Sequence, residues 1–323
     1  MAVTIAEYLG QRTDTQKNII PIRLEQKSEV LCPFMDRNCD KVSKGLHPVC
    51  IVRKDNGLIW IVCEHRLCSS RTKKKIKDAD KIKNKEMSLI PHQVNILMQI
   101  AKIIYQDKNL NPKEIGIKRE ASIKIPDSGI SYHADYLMRN LKEGSKINRI
   151  ILEMQGGGET SSTGAITRHL DEWSILDNPT NCFLSKKLSA NSIETNAWRR
   201  QQEQFIVKGN VAEKTDAKMV LAIGVPLFKY LKKRFITASN LNDVPNEWSL
   251  CLIGFDECED GSFKVDNRTY EYPPNPIVLQ AKNDCILFTD YSSFLKILTQ
   301  QGAECADLFK GKFLLLDNSN VEL

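Results

Sequence analysis

Glu153 and Gln155 stand one residue apart at the end of an apolar run, Ile150-Ile151-Leu152-Glu153-Met154-Gln155. In a strand, residues two apart point to the same face, so the carboxylate and the amide share one side of a sheet. A carboxylate ending a buried strand is costly unless it is paired or holds a cation. Asp135 lies upstream in another strand-like run, Ile130 to Met138. If the two runs pair as a hairpin, Asp135 approaches Glu153, and two carboxylates completed by water and phosphate oxygens suit Mg2+. Such an ion acidifies a water and offsets charge in phosphodiester hydrolysis. Gln155 cannot act as a base at neutral pH, but it can orient water or bind a phosphate oxygen. Asp127, in the turn Pro126-Asp127-Ser128-Gly129, is a rival ligand to Asp135. The bland reading, an ordinary polar hairpin, fits so short a pattern as well.

A second constellation lies near the N-terminus: Cys32, Cys39, Cys50 and Cys63, spaced C-x6-C-x10-C-x12-C. The runs Val49 to Arg53 and Leu58 to Val62 flank Asp55-Asn56-Gly57, and Asn-Gly favours a two-residue hairpin loop. That loop pairs Asp55 with Leu58 and, counting outward, Cys50 with Cys63. Opposed residues have Cβ atoms about 5 Å apart, so both thiolates can share one tetrahedral ion, with Cys32 and Cys39 as the other ligands. A closed four-thiolate site is structural, and thiolates admit zinc or iron alike. The competing readings are unconnected reduced thiols or a Cys50–Cys63 disulfide. Cys68 falls beyond the hairpin register and is left out of the set.

The bulk properties narrow the class. A chain of 323 residues with ten cysteines is too long and too thinly bridged for a secreted disulfide scaffold. No run is long and apolar enough to span a bilayer, and the first residues lack the form of a signal peptide, so the expected compartment is the cytoplasm. The net charge is +6. Its distribution matters more, because Lys73, Lys74, Lys75 and Lys77 open a lysine-rich run that extends to Lys85. Such a block can neutralise phosphates, or it can be simply a solvated loop.

The positioning elements follow from periodicity. Residues 1–30 read as an amphipathic lead-in, with Ile5, Tyr8 and Leu9 at helical spacing. Val94, Leu97, Met98, Ala101, Ile104 and Tyr105 mark a helix with one buried face, and Pro91 suits its first turn. Strands are expected over 121–125, 130–138 and 147–155, then at 219–225, 248–255 and 277–280, with helices at 197–208, 227–235 and 292–299. This order predicts an α/β protein with a mixed central sheet flanked by helices. Residues 1–88 form a four-cysteine module with its basic connector, and residues 89–323 form a catalytic domain with a C-terminal extension.

The chain resembles the NotI-type restriction endonucleases, a branch of the PD-(D/E)xK nuclease superfamily. The resemblance starts at Cys32-Pro33-Phe34, Cys39, Val49-Cys50-Ile51-Val52 and Trp60-Ile61-Val62-Cys63. It resumes at His133-Ala134-Asp135-Tyr136 and Leu152-Glu153-Met154-Gln155, where glutamine stands in the place of the superfamily's lysine. A third patch, Asn196 to Gln204, is similar to a family helix, with Arg200 and Gln204 at matching positions. The patches span roughly residues 5–225, with weak similarity between them, and the last third of the chain is not aligned with the family. The lysine-rich connector, Gly156-Gly157-Gly158 and Cys68 depart from the family pattern.

The resemblance implies a PD-(D/E)xK core, one structural metal on the four cysteines, and a homodimer cutting double-stranded DNA at a palindrome with Mg2+ to leave 5′-phosphate ends. A G/C-rich site and a cognate DNA methyltransferase in the same system belong to that expectation. The resulting assignment is a type II site-specific deoxyribonuclease in which Asp135 and Glu153 bind Mg2+ and Gln155 positions water or phosphate. Gln204 is a candidate supporting or phosphate contact, and Glu120 is an outer carboxylate candidate. The alternatives are a non-catalytic DNA-binding protein that reads DNA with its cysteine module, and a redox protein built on thiolate iron.

Overall fold

The computed structural model describes residues 2–13, 19–22, 30–35, 37–68, 71–73, 86–125, 129–156, 170–176, 180–185, 187–189, 194–238, 248–258, 276–299 and 310–322. It is a mixed α/β protein. No helix among the described residues is long and apolar enough to cross a membrane.

The chain opens with a strand, β1 (Ala2–Tyr8), where the spacing of Ile5, Tyr8 and Leu9 suggested a helix. The β-branched run Val3-Thr4-Ile5 favours extended backbone, and both faces of the strand are covered. Apolar residues therefore fall at consecutive as well as alternate positions, and that imitates helical spacing. β1 pairs antiparallel with β2 (Val49–Lys54), which pairs with β3 (Ile59–Ile61). Leu188–Ser189 lies along the other edge of β1.

The β2–β3 hairpin corrects one sequence expectation. Its register pairs Arg53 with Ile59 and Ile51 with Ile61, so the loop is the three residues Asp55-Asn56-Gly57. Gly57 takes the left-handed position at φ 83°, which suits a three-residue loop better than the two-residue Asn-Gly turn. The slip of one residue sets Cys50 against Val62. The carbonyl of Cys50 nevertheless accepts from the N–H groups of both Val62 and Cys63, each at 3.0 Å, which keeps Cys63 beside it.

Helix α1 (Pro91–Ile104) follows, with proline in its first turn. The large sheet then forms from β4 (Ile115–Lys124), β5 (Ser131–Asn140), β6 (Arg149–Gln155), β7 (Lys218–Gly224), β8 (Leu250–Glu257) and β9 (Leu279–Thr289). Its spatial order is β9-β8-β7-β6-β5-β4. The strands β4, β5 and β6 run antiparallel, β6, β7 and β8 parallel, and β9 antiparallel to β8. Parallel neighbours need crossovers. Helix α2 (Glu194–Lys214) lies in the connection from β6 to β7, and α3 (Val225–Ala238) in that from β7 to β8.

The two faces of this sheet pack differently. Met138, Ile150, Leu152, Val220 and Ala222 join α1 and the cysteine segment in one continuous core. Ile151, Met219, Leu221 and Ile223 face the other way, against α2, α3 and α4 (Tyr291–Thr299). Full burial of one such side chain stabilises by about 1.5–3 kcal/mol.

Two contacts fix the N-terminal segment to the large sheet. Glu7 and Arg66, both fully enclosed, form an ion pair at 2.7 Å. The guanidinium also donates to the carbonyl of Ile277 at 2.5 Å and stacks 4.0 Å over Phe34. Gly156, just past β6, lies so close to β3 that a Cβ there would sit 2.7 Å from the carbonyl oxygen of Ile61.

Candidate active site

Asp135 and Glu153 lie on adjacent antiparallel strands. The paired register ends at Tyr136 opposite Leu152, and the next step outward sets Asp135 beside Glu153. Backbone bonds tie the two carboxylates together. The Asp135 N–H donates to Glu153 Oε1 at 3.4 Å, and the Met154 N–H donates to Asp135 Oδ2 at 2.8 Å. Alternation places both side chains on the face that carries Ile151, beneath α2. Gln155 shares that face and is half-buried.

Helix α2 brings a residue that sequence reading missed. Lys208 Nζ donates to Glu153 Oε2 at 2.6 Å and to Gln204 Oε1 at 2.8 Å. Lys208 and Gln204 are one helical turn apart, so both reach the strand from the same side. Lys208 is 1% exposed and Glu153 5%.

Burial governs the electrostatics. It pushes the Glu153 carboxyl up to about 7, with the nearby charge of Asp135 adding to the rise and Lys208 opposing it. Burial also raises Asp135, against the hydrogen bond from Met154 and the charges of Lys208 and Arg119. Two adjacent acids that resist ionisation gain from any cation placed between them. The donor set therefore fits a hard divalent ion whose remaining ligands are water or phosphate oxygens.

Both carboxylates open into a polar cavity of about 350 Å³, which Gln155, Gln204 and Arg119 also line. Its opposite wall comes from the cysteine segment: Arg37, Asp40, Glu64, His65 and Cys68. The cysteine omitted from the metal set thus reaches the cavity. Its thiol is pushed well up by burial and by the charge of Asp135.

Cys32, Cys39, Cys50 and Cys63 are buried within one core. Burial and the neighbouring thiols raise Cys32 to about 12, and burial raises Cys63 to about 11. Cys39 and Cys63 precede short helical turns that begin at Asp40 and Glu64. The chemistry of the set suits a thiophilic ion, but the cage is not closed: among the described residues, no three His, Cys, Asp or Glu side chains are gathered to hold a metal ion.

Several sequence candidates fall wholly or partly outside the described residues. Glu120 belongs to β4, and its side chain lies outside the described residues, as does the whole of Asp127. Lys73 ends a short strand, Arg71–Lys73, paired with Glu86–Ser88. Its side chain, and Lys74, Lys75 and Lys77 entirely, lie outside the described residues.

Comparison with known proteins supplies no identity: no family model matches the chain, and no curated protein matches it.

Proposed function

We propose that this chain is a Mg2+-dependent endonuclease of the type II restriction class, acting on double-stranded DNA. The observation that carries the reading is the juxtaposition of Asp135 and Glu153 on neighbouring strands, both facing a polar cavity. When bound, Mg2+ supplies Lewis acidity at the scissile phosphate and lowers the pKa of a water. The chain's own residues have distinct tasks. Asp135 and Glu153 supply the anionic seat. Gln155 orients water or a phosphate oxygen. Lys208 opposes the rise that burial imposes on Glu153, and Gln204 holds Lys208.

A palindromic site cut on both strands calls for two such centres related by a two-fold axis, hence a homodimer. The products would carry 5′-phosphate ends. In this reading the PD-(D/E)xK core is the large sheet with α1 and α2, and the four thiols, not gathered into a cage in this structure, would close around one structural zinc or iron. The setting is a cytoplasmic restriction system with a cognate methyltransferase.

Incubating the protein with phage DNA and Mg2+, then sequencing the ends, tests the activity, site and stagger together. Asp135→Ala and Glu153→Ala should each abolish scission while duplex binding persists. Uncut DNA with the unaltered protein across divalent ions would overturn the assignment. Elemental analysis should find one zinc or iron per chain.

A further inference from the structure

The cavity has a charge problem. Its described lining includes Asp40, Glu64, Asp135 and Glu153 against Arg37 and Arg119, with Lys208 paired to Glu153. Until a cation fills the seat between Asp135 and Glu153, a phosphodiester meets more carboxylates than cations here, so a cationic donor at the rim carries weight. Arg119 comes from β4 in the large sheet, close enough for its charge to act on Asp135. Arg37 comes from the opposite wall.

Asp40 organises that wall. Its Oδ2 accepts from Arg37 Nη2 at 3.1 Å and from His65 Nε2 at 2.9 Å. These partners come from separate segments, one following Cys32 and the other following Cys63. A single carboxylate oxygen therefore clips the segment after Cys32 to the turn after Cys63 and sets Arg37 and His65 side by side. The Arg37 side chain is 61% exposed, and a guanidinium has five N–H donors. With one donor engaged by Asp40, others remain to meet a ligand.

We infer that the cysteine module contributes its own phosphate-binding element to the active-site cavity, with Arg37, fixed by Asp40 beside His65, gripping a DNA backbone phosphate across from Arg119. The inference rests on the nuclease reading and adds a role to it: the module shares the substrate with the catalytic sheet. It also locates a backbone contact outside the lysine-rich run.

The test is a salt titration of binding to a labelled mixed-sequence duplex, in Ca2+ to allow binding, followed by fluorescence anisotropy. Losing one phosphate contact reduces the slope of log K against log salt by about one. Arg37→Gln should show that reduction, Arg37→Lys should retain the slope, and Arg119→Gln should match Arg37→Gln. Asp40→Asn keeps the Arg37 charge but loosens its aim, so it should slow Mg2+-dependent cleavage at saturating DNA more than it weakens binding. An unchanged slope in Arg37→Gln, with the unaltered protein still cutting DNA, overturns this inference and leaves the nuclease reading standing. An unaltered protein that neither binds nor cuts duplex DNA overturns both.

Discussion

Lys208 Nζ sits 2.6 Å from Glu153 Oε2, and both side chains are almost fully enclosed. Each charge is tolerable in the interior because the other is there. Removing the ammonium orphans a buried carboxylate, a change that costs about 3–5 kcal/mol when the charge must persist. Glu153 has an escape in taking up a proton, so Lys208→Met should cost about 3 kcal/mol, the low end of that range. Urea unfolding at neutral pH measures it. Adding Glu153→Gln to Lys208→Met should restore part of the loss, and two simply additive losses would show that the pair is not coupled.

The carboxyl of Glu153 also sets a pH dependence. Its folded value is about 7, against 4.5 for the ordinary group, so the native state keeps a proton that the unfolded chain releases. Its contribution to stability is fully present below about 4.5 and is lost as pH rises through about 7. Without divalent ions, stability should therefore fall across that window and then level off. Mg2+ should stabilise increasingly over the same range, and cleavage should rise with it. Thermal melts at several pH values, read as the difference between the unaltered protein and Glu153→Gln, separate this carboxyl from other buried groups such as Asp135 and His92 whose values are also shifted. Two profiles of the same slope across the window would remove Glu153 as its source.

Gly156 marks where the cysteine segment rests on the active strand. A methyl group there would stand 2.7 Å from the Ile61 carbonyl oxygen, and backbone on both sides leaves little room to yield. Gly156→Ala should destabilise by about 1–3 kcal/mol, as overpacking does. Because the displaced hairpin leads to the wall bearing His65, cleavage should fall further than stability predicts. Cleavage assays beside urea unfolding separate the two effects, and an alanine variant of unchanged stability would disprove the contact.

Much of the site was legible because strands declare their faces. The two-residue spacing of Glu153 and Gln155, and the pairing of the runs 130–138 and 147–155 as a hairpin, were enough to bring Asp135 to Glu153. Lys208 was hidden for a specific reason. A glycine follows it, and glycine reads as the end of a helix, so the helix expected over 197–208 stops at the residue that matters. The actual helix runs on to Lys214. Gly209 stays within it because the ring of Tyr291 occupies the space a Cβ would need. A signal was available: Gln204, Phe205, Lys208 and Ala212 form one stripe, and a lysine within an otherwise buried stripe asks for a partner. The β2–β3 register was lost to a different ambiguity, since Asn-Gly serves two-residue and three-residue loops alike. Contacts across long stretches of sequence, such as Asp40 with His65 and Cys68 with the cavity, depend on how separate segments pack, which periodicity does not encode.

The clasp between Glu7, Arg66 and the Ile277 carbonyl has a practical consequence at the bench. A label or fusion that tugs on residues 2–8 pulls on Glu7, the buried partner of Arg66, and so strains the segment holding His65 at the same time. The exposed hairpin of Lys312–Leu314 and Asn320–Glu322 is the safer place for a label or surface attachment.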